Sequence, residues 1–339
     1  MKLLVTGGLG FLGSNMSEAA HRTGYEVTIF DNYSRTGNLE NEIWLRKNGI
    51  RNFVHGDIRN SNDVSRIVKK IEPDIIFHLA GQVAMTSSIE DFRKDFETNT
   101  VGSFNLIEAV RNYSPGSFIV YSSTNKVYGD LNWIELVEEE KRYTSRTFQN
   151  GLPENIQLEF HSPYGCSKGA ADQMFLDAFR IFGIRTVVFR HSSMYGPRQF
   201  STFDQGWIGW FVKQAREVKD KKIGLIEIAG NGKQVRDVLY SEDMVRLYLD
   251  IIKKSDKVVG QAFNIGGGIK NSLSILELID LLSTLLDLDP IRIQSNPARI
   301  SDQKFFVADT TKINESTGWA PDISPEFGVR EMISWQNSI

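Results

Sequence analysis

Short apolar runs alternate with longer stretches of helical periodicity through the first half of the chain. Leu3–Thr6, Glu26–Phe30, Asn52–His55, Ile75–Leu79, Ser117–Tyr121 and Arg185–Arg190 are four to six residues long, rich in β-branched or aromatic side chains, and bounded by turn formers. That pattern predicts strands buried on both faces. Between them, Phe11–His21, Asn62–Lys70, Asp95–Tyr113 and Ser162–Phe182 are predicted helices. In Val101–Val110 the apolar positions Val101, Phe104, Leu106, Ile107 and Val110 recur at helical spacing. Strands alternating with helices build parallel βαβ units, so the expected fold is α/β with a doubly wound parallel sheet.

The second half is less regular. Residues 191–234 and 269–339 hold loops, predicted helices over Trp207–Val218 and Ser274–Leu286, and a tryptophan-rich patch. They are expected to form a smaller substrate-binding lobe. Val235–Leu239 and Gln261–Ile265 are strand-like and expected to return to the sheet or its edge. The lobe is thus interleaved: residues 1–190 with 235–268 make one domain, and 191–234 with 269–339 the other. The stretch 131–160, with Glu138-Glu139-Glu140, is expected to be a solvated excursion.

Bulk properties exclude several classes. A net charge of −3 with no long basic run argues against nucleic-acid or membrane-surface binding. The single cysteine, Cys166, rules out an internal disulfide and a cysteine-rich metal site, and is expected to be a small buried filler. No metal is expected. No apolar stretch approaches the ~20 residues of a membrane span. The apolar run at Met1–Thr6 is short for a secretory signal and leads straight into a glycine turn, so a cytoplasmic location is expected.

Gly7, Gly10 and Gly13 stand between the first predicted strand and the first predicted helix. A glycine cluster alone is often only a turn; the strand–turn–helix context gives this one meaning. Glycine permits the tight bend and lets the backbone approach a pyrophosphate, whose charge then meets a helix N-terminus. Asp31 ends the second strand, eighteen residues after Gly13. An acid there accepts from adenosine ribose hydroxyls and repels a 2′-phosphate, which points to NAD over NADP. Arg35 is a nearby cation able to accommodate the extra phosphate. Asp57-Ile58 follows the third strand, placed to bracket adenine, and Leu79-Ala80-Gly81-Gln82 follows the fourth, where small residues let a cofactor pass. Both lie at carboxyl ends of strands, where ligands of Rossmann-type sheets sit.

Tyr164 and Lys168 are four residues apart on a predicted helix and share one face. An ammonium beside a phenol stabilises the phenolate and is expected to bring the tyrosine pKa from about 10 toward neutrality. Such a group is a base toward a hydroxyl and an acid toward the returning alkoxide. Thr124, closing the fifth strand, is placed to hydrogen-bond the same oxygen, and Lys168 to hold the nicotinamide ribose. A Tyr-x-x-x-Lys pair arises by chance in many chains. Here it follows Ser122-Ser123-Thr124 and a complete dinucleotide site.

Together these motifs resemble the extended short-chain dehydrogenase/reductase family, which includes nucleotide-sugar epimerases, dehydratases and decarboxylases. The resemblance spans the chain and includes Arg236-Asp237-Val238, Asn264-Ile265-Gly266-Gly267 and Arg299-Ile300-Ser301-Asp302. It implies that Arg236 and Arg299 clamp a substrate pyrophosphate, which suits the paired donors of arginine. Surface salt bridging is the bland alternative. Dehydratases of the family carry Thr-Asp-Glu-Val-Tyr-Gly. Here Thr124-Asn125-Lys126-Val127-Tyr128-Gly129 puts an amide and an ammonium where elimination needs an acid and a base, which disfavours dehydration. Ser193 stands where many relatives have an asparagine, so contacts near the sugar are expected to differ from those of 4-epimerases acting on UDP-glucose. His191 either lines the sugar pocket or makes a structural hydrogen bond.

Longer strings narrow the resemblance. Ala80–Thr86, Ser123–Asp130, Phe189–Gly196, Asp204–Phe211 and Gly230–Val238 closely resemble the members that epimerise C2 of a CDP-linked 3,6-dideoxyhexose. This implies an isomerase that transiently oxidises its sugar to a 2-keto form, keeps NAD bound, assembles as a homotetramer and serves O-antigen synthesis. The candidate catalytic set is Thr124, Tyr164 and Lys168. The candidate cofactor set is Gly7, Gly10, Phe11, Leu12, Gly13, Asp31, Asn32, Ser34, Arg35, Asp57, Ile58, Leu79, Ala80, Gln82, Asn99, Tyr164 and Lys168. Substrate candidates are Thr124, His191, Ser193, Gln205, Arg236 and Arg299. Trp207, Trp210 and Phe211 either face the apolar side of a dideoxy sugar or pack as core. The residues alone leave cytidine or uridine, and C2 or C4, open, so a UDP-sugar 4-epimerase remains the alternative. A silent NAD-sensing protein is disfavoured by the complete catalytic set.

Overall fold

Alternating apolar runs become parallel strands because each is too short and too β-branched for a helix and has a helix on either side to cover it. The computed structural model describes residues 1–83, 85–299 and 302–339, so Ala84, Ile300 and Ser301 of the strings above lie outside the described residues. In chain order, β1 (Lys2–Thr6), β2 (Glu26–Asp31), β3 (Asn52–His55), β4 (Ile75–His78) and β5 (Phe118–Thr124) are followed by a hairpin of β6 (Leu136–Glu138) and β7 (Tyr143–Ser145). Then come β8 (Arg185–His191), β9 (Ser193–Tyr195), β10 (Ile226–Ala229), β11 (Val235–Tyr240) and β12 (Ala262–Ile265). The last three are β13 (Ser272–Ser274), β14 (Ile293–Asn296) and β15 (Phe305–Phe306).

Seven strands pair in parallel in the order β3-β2-β1-β4-β5-β8-β12. The order reverses between β1 and β4, which opens a crevice at the carboxyl ends of the strands. Successive residues serve opposite faces: Leu3 and Val5 join a core with Ile29, Phe77 and Tyr248, while Leu4 joins Phe30, Ile76, Tyr121 and Phe175 on the other side. Each layer buries its side chains fully, so the sheet is a rigid base for whatever lies at its rim.

The strand over 235–240, expected to return to this sheet, does not. β11 pairs antiparallel with β13 and parallel with β15 at its start, and parallel with β9 at its end. β9 leaves β8 after one intervening residue and so carries the chain from the large sheet into the small one. Sequence pattern alone cannot choose between two sheets that both bury the strand. β12 does join the edge of the large sheet, beside β8.

Two further differences have local causes. The helix predicted over 95–113 is broken into an α-helical turn at Phe92–Asp95, a π-helical stretch at Phe96–Val101 and an α-helix at Gly102–Tyr113. The π stretch contains Asn99, whose buried amide is tied to its surroundings. The stretch over 131–160 is not a solvated excursion: Leu131, Ile134 and Leu152 pack with Val235 and Phe305–Ala308 in a small core of their own. The polar glutamates hid this in the sequence; Glu138 in fact pairs with Lys233 at 2.7 Å. Among the described residues, no helix is long and apolar enough to cross a membrane.

Candidate active site

The crevice forms from the glycine turn outward. Gly7 takes a positive φ of 69°, and its N–H donates to the Phe30 carbonyl at 2.8 Å. A Cβ there would lie 2.7 Å from the Ala80 backbone nitrogen, and one on Gly13 would lie 2.6 Å from Gly8 Cα. Gly10 is the N-cap of the Phe11–Arg22 helix and has no side chain to satisfy the first helical N–H groups, which are left for an anion. At the end of β2, Asp31 accepts from the N–H groups of Leu9 (3.0 Å) and Tyr33 (2.9 Å) and from Asn38 Nδ2 (2.9 Å). A carboxylate has about four lone-pair sites, so acceptor capacity remains for a ribose hydroxyl. Burial raises the Asp31 pKa. This backbone cradle, with a carboxylate at one end, fits a dinucleotide without a 2′-phosphate.

Arg35 makes its hydrogen bonds across the crevice. Its guanidinium crosses the crevice to Gln205 Oε1 at 2.9 Å and lies 3.4 Å from the Gly81 carbonyl, linking the cofactor loop to the lobe.

At the rim of β5 the catalytic candidates converge. Thr124 stands in register with His191 across β5 and β8, and its hydroxyl lowers the Tyr164 pKa, opposing burial. Tyr164 and Lys168 project from the Ser162–Phe182 helix, both buried. The expected lowering of the tyrosine pKa is not what the protein alone produces. Burial pushes the phenol up to about 12, against the smaller effects of Thr124 and Arg35. Lys168 itself is pulled down to about 7 by burial. Its Nζ donates to the Ser122 carbonyl at 2.5 Å and sits 4.4 Å from the Tyr121 ring centre. Desolvation by burial is the largest influence on each of the two groups. Cys166, on the same helix, is exposed and not the buried filler expected, because it faces away from Tyr164 and Lys168.

The opposite wall comes from the lobe. Arg236 Nη2 bonds Asp302 Oδ1 at 2.7 Å, and Lys126 Nζ lies 4.0 Å from the same oxygen. Lys126 is lowered to about 8, chiefly by burial and then by the Arg236 charge. Arg299 stacks 4.7 Å over the Phe203 ring centre and bonds its carbonyl. Trp207 donates to Ser193 Oγ at 3.0 Å, so Ser193 holds the aromatic wall. His191 bonds Tyr248 through Nε2, while its buried Nδ1 has no hydrogen-bond partner; burial lowers its pKa to about 3, so the ring is neutral.

Between the two walls lies one cavity of about 620 Å³. It admits Gly7, Gly10, Phe11, Leu12, Gly13, Asp31, Asn32, Ser34, Arg35, Ile58, Leu79 and Ala80 on the cofactor side. Thr124, Tyr164, Lys168, His191, Ser193, Gln205, Arg236 and Arg299 complete the predicted set within it. Asp57, Gln82 and Asn99 stand behind the wall. Asp57 is paired with Arg59 and held by Asn32, and Asn99 bonds both backbone groups of Gln82 and the Ser167 hydroxyl.

Residues 3–266 match the NAD dependent epimerase/dehydratase family. The chain belongs to that family. It is 55% identical over 339 residues, covering 100% of both chains, to CDP-paratose 2-epimerase of Salmonella typhi. It is 31% identical over 99% of this chain and 93% of the other to dTDP-glucose 4,6-dehydratase of Escherichia coli. Among solved structures, UDP-glucose 4-epimerase of Thermotoga maritima with UDP-glucose matches at a TM-score of 0.83 and 29% identity, covering 100% and 99% of the two chains. The dTDP-glucose 4,6-dehydratase of Bacillus anthracis in complex with NAD matches at 0.80 and 27%, covering 100% and 97%.

Several cavity residues of this NAD dependent epimerase/dehydratase family member escaped sequence reasoning. Lys126 and Asn125 were noticed only as departures from an elimination pair. Asp302 had a signal, being part of the string that carries Arg299. Asp204 and Gln234 likewise lay in strings that carried the resemblance, while Phe200 and Glu227 had no signal, since only the folded lobe brings them to the cavity. Among the described residues, no cluster of metal-ligand type is present.

Proposed function

We propose that this chain is an NAD-dependent isomerase that inverts C2 of a CDP-linked 3,6-dideoxyhexose, interconverting CDP-paratose and CDP-tyvelose for bacterial O-antigen. The end-to-end 55% identity to a CDP-paratose 2-epimerase supports the substrate. The observation that carries the reaction type is the meeting, in one cavity, of a backbone anion cradle, the Thr124/Tyr164/Lys168 set and an arginine pair, with an amide and an ammonium in place of the elimination acid and base.

Gly7, Gly10, Gly13 and the helix behind them hold the pyrophosphate of NAD, Asp31 its adenosine ribose, and Lys168 its nicotinamide ribose. When bound, oxidised NAD supplies a hydride acceptor and a positive charge beside the phenol. Tyr164, as phenolate, takes the proton of the C2 hydroxyl, and Thr124 orients that oxygen. Arg236 and Arg299 keep the diphosphate anchored while the 2-keto sugar turns about its linkage and presents its other face. Tyr164 then returns the proton to the C2 oxygen, so no net redox change occurs. Trp207, Trp210 and Phe211 face the sugar where the 3-hydroxyl is missing.

The reading includes a homo-oligomer, a tetramer, in the cytoplasm. Phe92, Phe96 and Phe104 are exposed along one segment, and Ile181 and Phe182 at the end of the Tyr164 helix, an apolar surface suited to a second copy.

The test is NMR of the purified protein with CDP-paratose in heavy water, beside UDP-galactose. Conversion to CDP-tyvelose with protium kept at C2 is expected. Solvent deuterium at C2 would replace hydride transfer by enolisation, and turnover of UDP-galactose alone would favour the 4-epimerase reading.

A further inference from the structure

The surroundings of Thr124 determine what its hydroxyl is able to offer. A hydroxyl has one proton and two lone pairs. The Lys126 N–H donates to Thr124 Oγ1 at 3.2 Å, which uses one lone pair. The Thr124 proton goes to Asn125 Oδ1 at 3.3 Å. What is left for Tyr164 is one lone pair, so in this arrangement Thr124 has capacity to accept from the phenol and none to donate to it.

The direction of that proton is set from a distance. The Gly129 carbonyl is an acceptor only, and it takes a hydrogen bond from Gln303 Nε2 at 2.7 Å. That forces Gln303 Oε1 to face Asn125, whose Nδ2 donates to it at 3.1 Å. Asn125 must then present its own Oδ1 to Thr124. Each amide orientation follows from the one before, and the series starts at a backbone group that has no second role. Gln303 is 0% exposed, and Asn125 and Thr124 are both buried, so water does not compete along the chain.

We propose that the buried series Gly129–Gln303–Asn125 is a positioning device that turns the Thr124 hydroxyl away from Tyr164, holding Tyr164 as a proton donor in the resting site. Conversion of Tyr164 to a base then needs that hydroxyl to swing from Asn125 to the phenolate oxygen. The Thr124–Asn125 link is the longest of the three, which makes it the one that gives way. Gln303 and Asn125 touch neither the phenol nor the reacting atoms in this scheme; they act through Thr124. The roles of Thr124 and Tyr164 rest on the function proposed above, while the hydrogen-bond series stands on the geometry.

The charged and titratable groups around Tyr164 are Arg35 from the loop after β2, Asp95 from the turn before the π-helical stretch, Tyr121 from β5 and Lys168 from its own helix. His191 on β8 and Lys126 after β5 flank Thr124. Gln303 carries no charge and bonds none of these groups, so replacing it leaves their charges in place.

The experiment is a titration of Tyr164 itself, by carbon NMR of protein labelled at the tyrosine Cζ, with Tyr164→Phe giving the assignment. Two near-isosteric variants break the series at different points: Gln303→Met lets the Asn125 amide flip, and Asn125→Leu removes the acceptor. Both free the Thr124 proton for the phenolate. A charge-assisted hydrogen bond gained by the ionised form corresponds to a downward shift of about one pH unit, seen in both variants and matched in the acid limb of epimerisation. An unchanged or raised tyrosine titration in either folded variant overturns the proposal. If Gln303→Met fails to fold, Asn125→Leu, which keeps the Gln303–Gly129 bond, decides alone. A downward shift in a protein that does not epimerise the CDP-sugar supports the series and counts only against the substrate.

Discussion

The two walls of the cavity present their hydrogen-bond donors by different means. On the cofactor side the donors are backbone: a glycine turn, a helix N-terminus without a capping side chain, and strand ends of a seven-stranded sheet. On the opposite side they are the side chains Arg236 and Arg299, carried by a small four-stranded sheet and its loops, and Lys126, which follows β5, with the Asp302 carboxylate among them. A backbone site cannot lose its donors by mutation, only its shape. A side-chain site keeps its shape and loses its donors one at a time. The first is suited to one invariant ligand, the second to ligands that differ between relatives.

The largest effect should come from deforming the backbone wall. Gly13→Ala puts a methyl 2.6 Å from Gly8 Cα, where backbone cannot yield without moving the helix off the turn. We expect NAD binding to be lost and stability to fall by about 3 kcal/mol. Calorimetric titration with NAD and a thermal melt check both. Retained affinity would show that the cradle does not depend on close approach.

On the lobe wall, Arg236→Met should leave the fold and NAD binding intact. It removes a guanidinium whose hydrogen bonds to a charged group are worth about 2 kcal/mol, so KM for the nucleotide sugar should rise about 30-fold with kcat little changed. Arg236→Lys should recover only part, because a point charge cannot replace paired donors. A fall in kcat at constant KM would move Arg236 from anchoring the diphosphate to the reaction itself.

The same contrast explains what could be read from the sequence. The glycine spacing, the strand–helix alternation and Asp31 are local signals, since each is tied to a backbone conformation within a few residues. The Ser162–Phe182 helix was legible to the residue for that reason. Contacts that decide the other wall are remote: Arg236 with Asp302 is 66 residues apart, Arg35 with Gln205 is 170, and Asn125 with Gln303 is 178. β11 looked like a strand of the large sheet because burial on both faces gives the same pattern in either sheet. The helices Asn38–Lys47 and Ser241–Lys253 were missed, the first for its polar composition and weak periodicity, the second for lying in the irregular half. The phenol's raised pKa was also out of reach: a Tyr-x-x-x-Lys spacing reports a neighbour in sequence, not the desolvation that sets the shift.

Lys168 sits where the two walls meet, and its cost is measurable without substrate. Its folded pKa of about 7 lies below the ordinary lysine value of about 10.4. Between the two, the unfolded chain binds a proton that the folded chain does not. Stability of the nucleotide-free protein therefore rises with pH from about 7 to 10. Lys168→Met removes this dependence. It should be more stable than the parent by on the order of 2 kcal/mol at pH 7, with the gap closing toward pH 10, while epimerisation is lost. Urea unfolding at both pH values checks it. A gap that widens with pH would mean that the lysine is held charged by a partner.

The smallest effect tests a side chain that the backbone wall was expected to use. Asp57 was read as bracketing adenine, yet it stands behind the cavity surface, accepting from Arg59 Nη2 at 2.7 Å and from Asn32 Nδ2 at 3.1 Å. Its role is that of a strut for the loop that carries Asn32. Arg59 first, against the cost of burial, lowers its carboxyl to about 2, so whatever stability the pair contributes is present above about pH 4 and lost as pH falls toward 2. The pair is largely solvated, which limits that contribution to about 0.5 kcal/mol. Asp57→Asn keeps an acceptor for Arg59 and the size of the strut. It should therefore change the NAD Kd by no more than about twofold and flatten the acid limb of the stability curve. A tenfold loss of NAD affinity would return Asp57 to the cofactor set and show that the backbone wall also depends on a carboxylate it does not expose.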